Sequence, residues 1–235
     1  MHFRITIPSL ADGKKDEAVS YVKENVFPEF DGVPGLMSMT AAITGETSGV
    51  NMATWESKEA ADAVADKIQA ALAGAASFMS GPPTIYEGAP VFGKIYQTIE
   101  KDSQRPSYLR LVVGVAKDTD AVLNFLKEKV EPIYEEADGI QLAGAIFDGN
   151  NAISWNFWDS KEAMDAAVVK LEAELDSAEE EALFESATAY MGPVYAGKIF
   201  ANISGKSIAG AITDTIQLDK ATGEPLTYRK SWREN

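Results

Sequence analysis

Two periodicities alternate along the chain. Short apolar runs with strand-like composition, "FRITI" (3–7), "LMSMTAAI" (36–43) and "VNMATW" (50–55), predict β-strands. Between the first two, Val19, Val22 and Val26 recur at three- and four-residue steps, which predicts an amphipathic helix. The polar "TGETSG" that separates the second and third runs predicts a hairpin. Ser57 stands where an N-cap would, with Glu59 suited to the positive end of the helix that follows. A last apolar run, "FGKIYQTI" (92–99), predicts a closing strand.

The whole pattern is then written again. "YLRLVVGV" (108–115) opens it, and Val122, Leu126 and Val130 mark the helix. "IQLAGAIF", the turn "DGNN" and "AISWNFW" form the hairpin, Ser160 takes the cap position, and "GKIF" begins the closing strand. Individual residues coincide as well. Trp55, Ser57, Lys58, Glu59 and Ala60 meet Trp158, Ser160, Lys161, Glu162 and Ala163 at a shift of 103 positions. Lys23, Val26, Pro28 and Gly35 meet Lys127, Val130, Pro132 and Gly139 at 104. Such self-similarity reads as a tandem duplication, with repeats at 1–100 and 105–204 joined by the polar "EKDSQRPS". A tail at 206–235 has no counterpart in the first repeat. Its "TDTIQLD", "KATGEP" and "LTYRKSW" predict a β-hairpin that packs across the body or pairs with a second subunit, giving a homo-oligomer. Arg229, Lys230 and Arg233 give it a basic cluster that could dock on an acidic body.

Within each repeat the order β-α-β-β-α-β is the ferredoxin-like split βαβ unit. One face of its antiparallel sheet carries the helices and the other is left bare. Two copies in one chain can cover each other sheet to sheet, so the expected fold class is α+β, with two ferredoxin-like repeats forming one intrachain barrel. Alternation along the third strand sets Val50, Met52 and Thr54 against Asn51, Ala53 and Trp55, and Ile153, Trp155 and Phe157 against Ser154, Asn156 and Trp158. The bulky apolar sets belong between the sheets. The polar sets, each ending in a Trp, belong under the helices, where a buried Asn or Ser needs a partner and a cavity could form.

A strand ending in Trp, followed by "ESKEA" and a helix after a glycine-bearing hairpin, resembles the antibiotic biosynthesis monooxygenase family of the dimeric α+β barrel superfamily. The resemblance covers both repeats and excludes the tail. It implies a cofactor-independent oxygenase acting with molecular oxygen on a small aromatic or polyketide-type compound. It also implies substrate contacts from an Asn and a Trp four residues apart, here Asn51 and Trp55. The second repeat departs from this spacing, with Ser154 before Trp158, and the family's tyrosine and arginine positions find no match in either repeat. Such chemistry needs no metal or flavin, because a deprotonated phenol or anthrone can itself pass an electron to oxygen. The protein then positions the substrate and stabilises its enolate by hydrogen bonds. The alternative is a non-catalytic small-ligand-binding or stress-associated barrel.

The repeats diverge after the second helix. "AGAASFMSGPPTIYEGAP" (73–90) is small and breaker-rich and is expected to form a lid, which makes Phe78, Met79 and Tyr86 candidate substrate contacts. Ser154, Asn156 and Trp158 are the candidates of the second repeat. There Ser177 and Glu180 form a capping-box pattern from which helix could resume.

Composition narrows the alternatives. The net charge of −15 argues against nucleic acid, whose phosphates need clustered Lys and Arg. There is no Cys, and the one histidine is His2, so thiolate or histidine-cluster metal sites and Ser-His-Asp chemistry are not expected. No apolar run approaches a membrane span, and the first residues lack a signal-peptide core. The expectation is therefore a cytoplasmic protein with no membrane partner, no cofactor and no metal.

Overall fold

The two periodicities resolve into one antiparallel sheet with helices on its outer side. The computed structural model describes residues 1–96, 107–174, 182–199 and 230–234. The first half runs β1 (His2–Ile7), α1 (Lys15–Tyr21), α2 (Phe27–Glu29), β2 (Leu36–Ile43), β3 (Gly49–Trp55), α3 (Lys58–Asp62), α4 (Ala65–Ala75), β4 (Thr84–Gly88) and β5 (Pro90–Ile95). The second runs β6 (Tyr108–Ala116), α5 (Thr119–Phe125), α6 (Glu131–Glu135), β7 (Ile140–Asp148), β8 (Asn151–Trp158), α7 (Lys161–Glu174) and β9 (Phe184–Ile199).

Local chemistry explains the element boundaries. Ser57 and Ser160 cap their helices, each Oγ accepting the N–H three residues on, from Ala60 at 3.2 Å and Ala163 at 3.1 Å. Gly35 and Gly139 adopt φ of +76° and +80°, and an added Cβ would meet Ala60 or Ala163, so only glycine lets the chain enter β2 or β7 there. A π-helical turn precedes each helix proline, Val22–Val26 before Pro28 and Leu126–Val130 before Pro132. The wider turn absorbs the ring that cannot sit in a regular α-helix.

The strand order is β4-β1-β3-β2-β9-β6-β8-β7-β5, and β10 (Lys230–Glu234) pairs with β9. Only Ala89 separates β4 from β5 in the chain, so the two ends of the sheet meet and it closes on itself. The closure is reciprocal. Residues 184–193 of β9 pair with β6 of their own half, and 194–199 pair with β2 of the other. Likewise β4 pairs with β1, while β5 crosses to β7. Inside, Ile5, Val50 and Met52 from one half pack with Leu111, Ile153, Trp155 and Phe157 from the other, and the Phe3 and Trp155 rings lie 4.6 Å apart. Outside, Trp55 packs under the first half's helices with Phe30, Leu36 and Ala61, and Trp158 under the second's with Tyr134, Met164 and Leu171. The face assignment made from alternation is the observed one.

Three expectations need correction or fall outside the described residues. The segment 73–90 is not one lid, because 84–88 is strand β4, paired with β1. Residues 182 and 183 are helical, in line with a helix resuming there, and 184–193 are strand. Their side chains at 185–189 are exposed, so no apolar alternation announces them. The Ser177–Glu180 cap and the first strand of the tail hairpin lie outside the described residues; of that hairpin only β10 is described.

Each crossing strand bends against a neighbour's backbone through a glycine. A Cβ on Gly88 would stand 2.7 Å from the Phe147 carbonyl oxygen, and one on Gly192 would collide with that of Ile43. Gly88→Ala and Gly192→Ala are each expected to lower unfolding stability by about 1–3 kcal/mol, the usual penalty of overpacking. Gly81, with open space around it, is the control and should accept Ala nearly silently. Chemical denaturation of the three variants checks this.

Candidate functional site

Antiparallel pairing fixes which side chains share a row beneath the first half's helices. Thr6, Asn51 and Ala41 lie opposite one another, then Arg4, Ala53 and Met39, then His2 beside Trp55. Over these rows, α1, the π-turn and α4 leave a cavity of about 150 Å³. Phe27, Phe30, Ile68, Leu72, Phe78 and Met79 form much of its apolar wall. Arg4, Thr6, Asn51, Trp55 and Tyr195 bring polar groups to it.

Trp55 is the unusual member. The side chain is 1% exposed, and its Nε1–H is buried with no hydrogen-bond partner among the described residues. Leaving such a donor unpaired typically costs about 1–3 kcal/mol. The second half shows what the fold does when this position is satisfied. Trp158 Nε1 donates to Asn156 Oδ1, and Asn156 Nδ2 donates to the Tyr134 hydroxyl at 2.8 Å. Ala53 stands in the row of Asn156, since Arg4 faces Ala53 as Arg110 faces Asn156. Phe30, two residues after Pro28, stands where Tyr134 follows Pro132. The first half has neither the amide nor the hydroxyl that answer the indole in the second. What remains is a cavity lined by a Trp whose N–H has no partner among the described residues.

The charged chemistry at the cavity is a single ion-paired group. Among the described residues Arg4 is the only charged one in the lining, and its Nε donates to the Glu87 carboxylate on β4. The His2 Nε2 lies 3.6 Å from that same carboxylate. No carboxylate or imidazole lines the cavity among the described residues. Burial pushes the Tyr195 phenol above its ordinary range, so it stays protonated. The Tyr21 hydroxyl donates to the Ala71 carbonyl at 3.0 Å.

The mouth is stitched shut on one side. Ala11 N–H donates to the Phe78 carbonyl at 2.8 Å and Ser80 N–H to that of Ser9 at 2.9 Å, while Leu10 bridges Met79. The short turn carrying Phe78 and Met79 therefore rests on the β1–α1 loop.

The structure brings Asn51, Trp55, Phe78 and Met79 together around this cavity. Tyr86 lies elsewhere, opposite Ile5 and packed against the core between the sheets. Its phenol is raised chiefly by burial and then by the charges of Tyr190 and Asp148. Ser154, Asn156 and Trp158 lie on β8 in the second half, where Asn156 and Trp158 are tied up with Tyr134. Sequence reasoning missed Arg4, Thr6 and Tyr195. The first two were legible as alternate members of "FRITI" on the face of Asn51. Tyr195 was not, because it arrives from the other half. Among the described residues no cluster of three His, Asp or Glu side chains is placed to hold a metal ion, and no helix is long and apolar enough to cross a membrane.

No family model matches the chain, and no curated protein matches it by sequence. Solved structures do match its fold. A candidate monooxygenase from Fusobacterium nucleatum superposes with a TM-score of 0.66 at 11% identity, over 82% of this chain and 91% of that one. An anthrone oxidase-like protein gives 0.61 at 15% identity, over 85% and 93%. A chlorite dismutase mutant from Candidatus Nitrospira defluvii gives 0.50 at 9%, over 82% and 90%. Identities this low speak for the fold and not for an activity. This chain is similar to these proteins in having an α+β fold of the dimeric α+β barrel type, built on an antiparallel sheet.

Proposed function

We propose that the chain is a tandem fusion of two ferredoxin-like units, 1–100 and 105–204, with a tail at 206–235, and that it acts as a cofactor-independent monooxygenase on a small aromatic or polyketide-type compound. The first half's cavity is its site. The observation that carries this reading is the buried Trp55 Nε1–H, without a partner among the described residues, in a side chain that lines the cavity together with Asn51, while the equivalent indole of the second half is hydrogen-bonded. A donor left unpaired at this cost is suited to an oxygen that arrives with a ligand. The setting proposed is cytoplasmic, and oligomerisation would run through the tail.

The chemistry follows from that donor set. An anthrone-type substrate carries a CH₂ group whose deprotonation gives an enolate. Trp55 N–H, the Asn51 amide and the Arg4 guanidinium would stabilise the oxygen on which that charge develops. The enolate reduces molecular oxygen. One oxygen atom ends in the new carbonyl, the other leaves as water with the two hydrogens of the CH₂, and the substrate supplies all the electrons.

With no carboxylate or imidazole lining the cavity among the described residues, the departing proton would go to water. Oxygen uptake by the purified chain with anthrones, naphthols or hydroquinones should therefore rise with pH along the substrate's own ionisation, lowered by its bound environment. A bell-shaped profile set by an enzyme group near neutrality would contradict the mechanism. The mainly apolar wall favours a second reading, a binding protein without turnover. Saturable uptake of these compounds with no oxygen consumed would select it.

A further inference from the structure

We propose that Tyr195, carried into the first half's cavity from the second half, is the positioning residue that gives the site its preference for ligands bearing an oxygen on an apolar ring. This rests on the cavity's being a ligand site, as proposed above.

A β-bulge performs the delivery. Pairing between β2 and β9 passes from Ala41 opposite Ala196 to Ala42 opposite Val194, so Tyr195 has no partner on β2. A residue skipped in this way is re-aimed relative to its neighbours. Val194 points into the core between the sheets, while Tyr195 lines the cavity on the helix side. The same irregularity occurs at the equivalent place in the other crossing strand. There β5–β7 pairing passes from Pro90 opposite Ile146 to Phe92 opposite Ala145, skipping Val91. "PVFGKI" and "VYAGKI" align so that Val91 and Tyr195 occupy one position.

The two bulges therefore present different side chains to their respective helix layers. Val91 packs against the cluster holding Trp158 and Tyr134, where no hydroxyl is needed because Asn156 already answers the indole. Tyr195 faces the half in which Ala53 and Phe30 have removed both polar partners. Its hydroxyl has no hydrogen-bond partner among the described residues, and burial keeps it protonated. Trp55 and Tyr195 thus bring two donor-bearing side chains to the lining of one cavity from two halves of the chain, and neither half alone holds both. A hydrocarbon would leave both donors unanswered; a phenol or aryl ketone would answer them.

The test compares 1-naphthol with naphthalene on the full chain. Binding is followed by calorimetry and by the indole ¹⁵N–¹H resonance of Trp55. The unsubstituted chain should prefer naphthol and shift that resonance. Tyr195→Phe keeps the ring and nearly the volume. It should weaken naphthol binding about five- to tenfold, the usual worth of one hydrogen bond, and leave naphthalene binding unchanged. Equal losses for both probes would mean a packing role and overturn the proposal. Unchanged naphthol affinity would overturn it too, while a Trp55 shift in the same experiment would leave the site itself standing. If neither probe perturbs Trp55 in the unsubstituted chain, this proposal and the ligand-site reading fall together.

Discussion

Residues 1–100 expressed alone will not form a stable monomer. Cutting the chain there leaves β5 without β7, its only sheet neighbour among the described residues, and strips β9 from the outer side of β2. It also uncovers Ile5, Ile7, Val50 and Met52, which pack against side chains of the second half. A large apolar side chain is worth about 1.5–3 kcal/mol when fully buried. Four such losses approach the whole stability of an ordinary domain, about 5–15 kcal/mol. Two bare strand edges add a template for pairing with another copy. The fragment should therefore dimerise or aggregate in size-exclusion chromatography with light scattering. Co-expression with residues 105–235 should restore a one-to-one complex. A monomeric fragment with a cooperative unfolding transition would show that the halves are independent units joined by a linker.

How much of this was written legibly depends on whether the signal was local. Ser57 and Ser160 announce their helices because a cap is satisfied within three residues. The strand faces of 50–55 and 153–158 were readable because one face meets a dry core, and burial on one side is what alternation records. The crossing strands were not readable in the same way. Residues 185–189 are exposed, and β4 is exposed or only half-buried along its length, so neither carries a hydrophobic period. Among site residues, Asn51 and Trp55 sit on one strand at a spacing that sequence can show. Their meaning came from elsewhere in space: the contrast with Asn156 and Tyr134, twenty-two residues apart yet hydrogen-bonded, and a Tyr from the opposite half. Comparing the two halves position by position would have exposed Ala53/Asn156, Phe30/Tyr134 and Val91/Tyr195 as differences. It would not have shown that all three bear on equivalent places in the two helix layers.

The two tryptophans should answer the same substitution in opposite ways. Trp55→Phe and Trp158→Phe lose similar ring area beneath similar helices, so packing losses largely cancel between them, and what differs is the N–H. Removing it from Trp158 strands the Asn156 carbonyl oxygen in a site where Asn156 is 1% exposed. That should cost about 1–3 kcal/mol of stability beyond the packing loss. At Trp55 the departing N–H has no partner among the described residues, so its removal should cost nothing further and could offset part of the packing loss. Function should divide the other way. If Trp55 N–H and the Asn51 amide answer a developing oxyanion, Trp55→Phe and Asn51→Ala should each lower turnover by about 2–4 kcal/mol of transition-state stabilisation, roughly a hundred- to a thousandfold. Ser154→Ala, the matched change to Asn51→Ala, should leave turnover nearly as it was, and Trp158→Phe should do so at temperatures where the variant stays folded. Thermal unfolding paired with oxygen uptake on the four variants separates the effects. Full turnover in Asn51→Ala, with loss in Ser154→Ala, would place the working site in the second half and leave the free indole of Trp55 without a role.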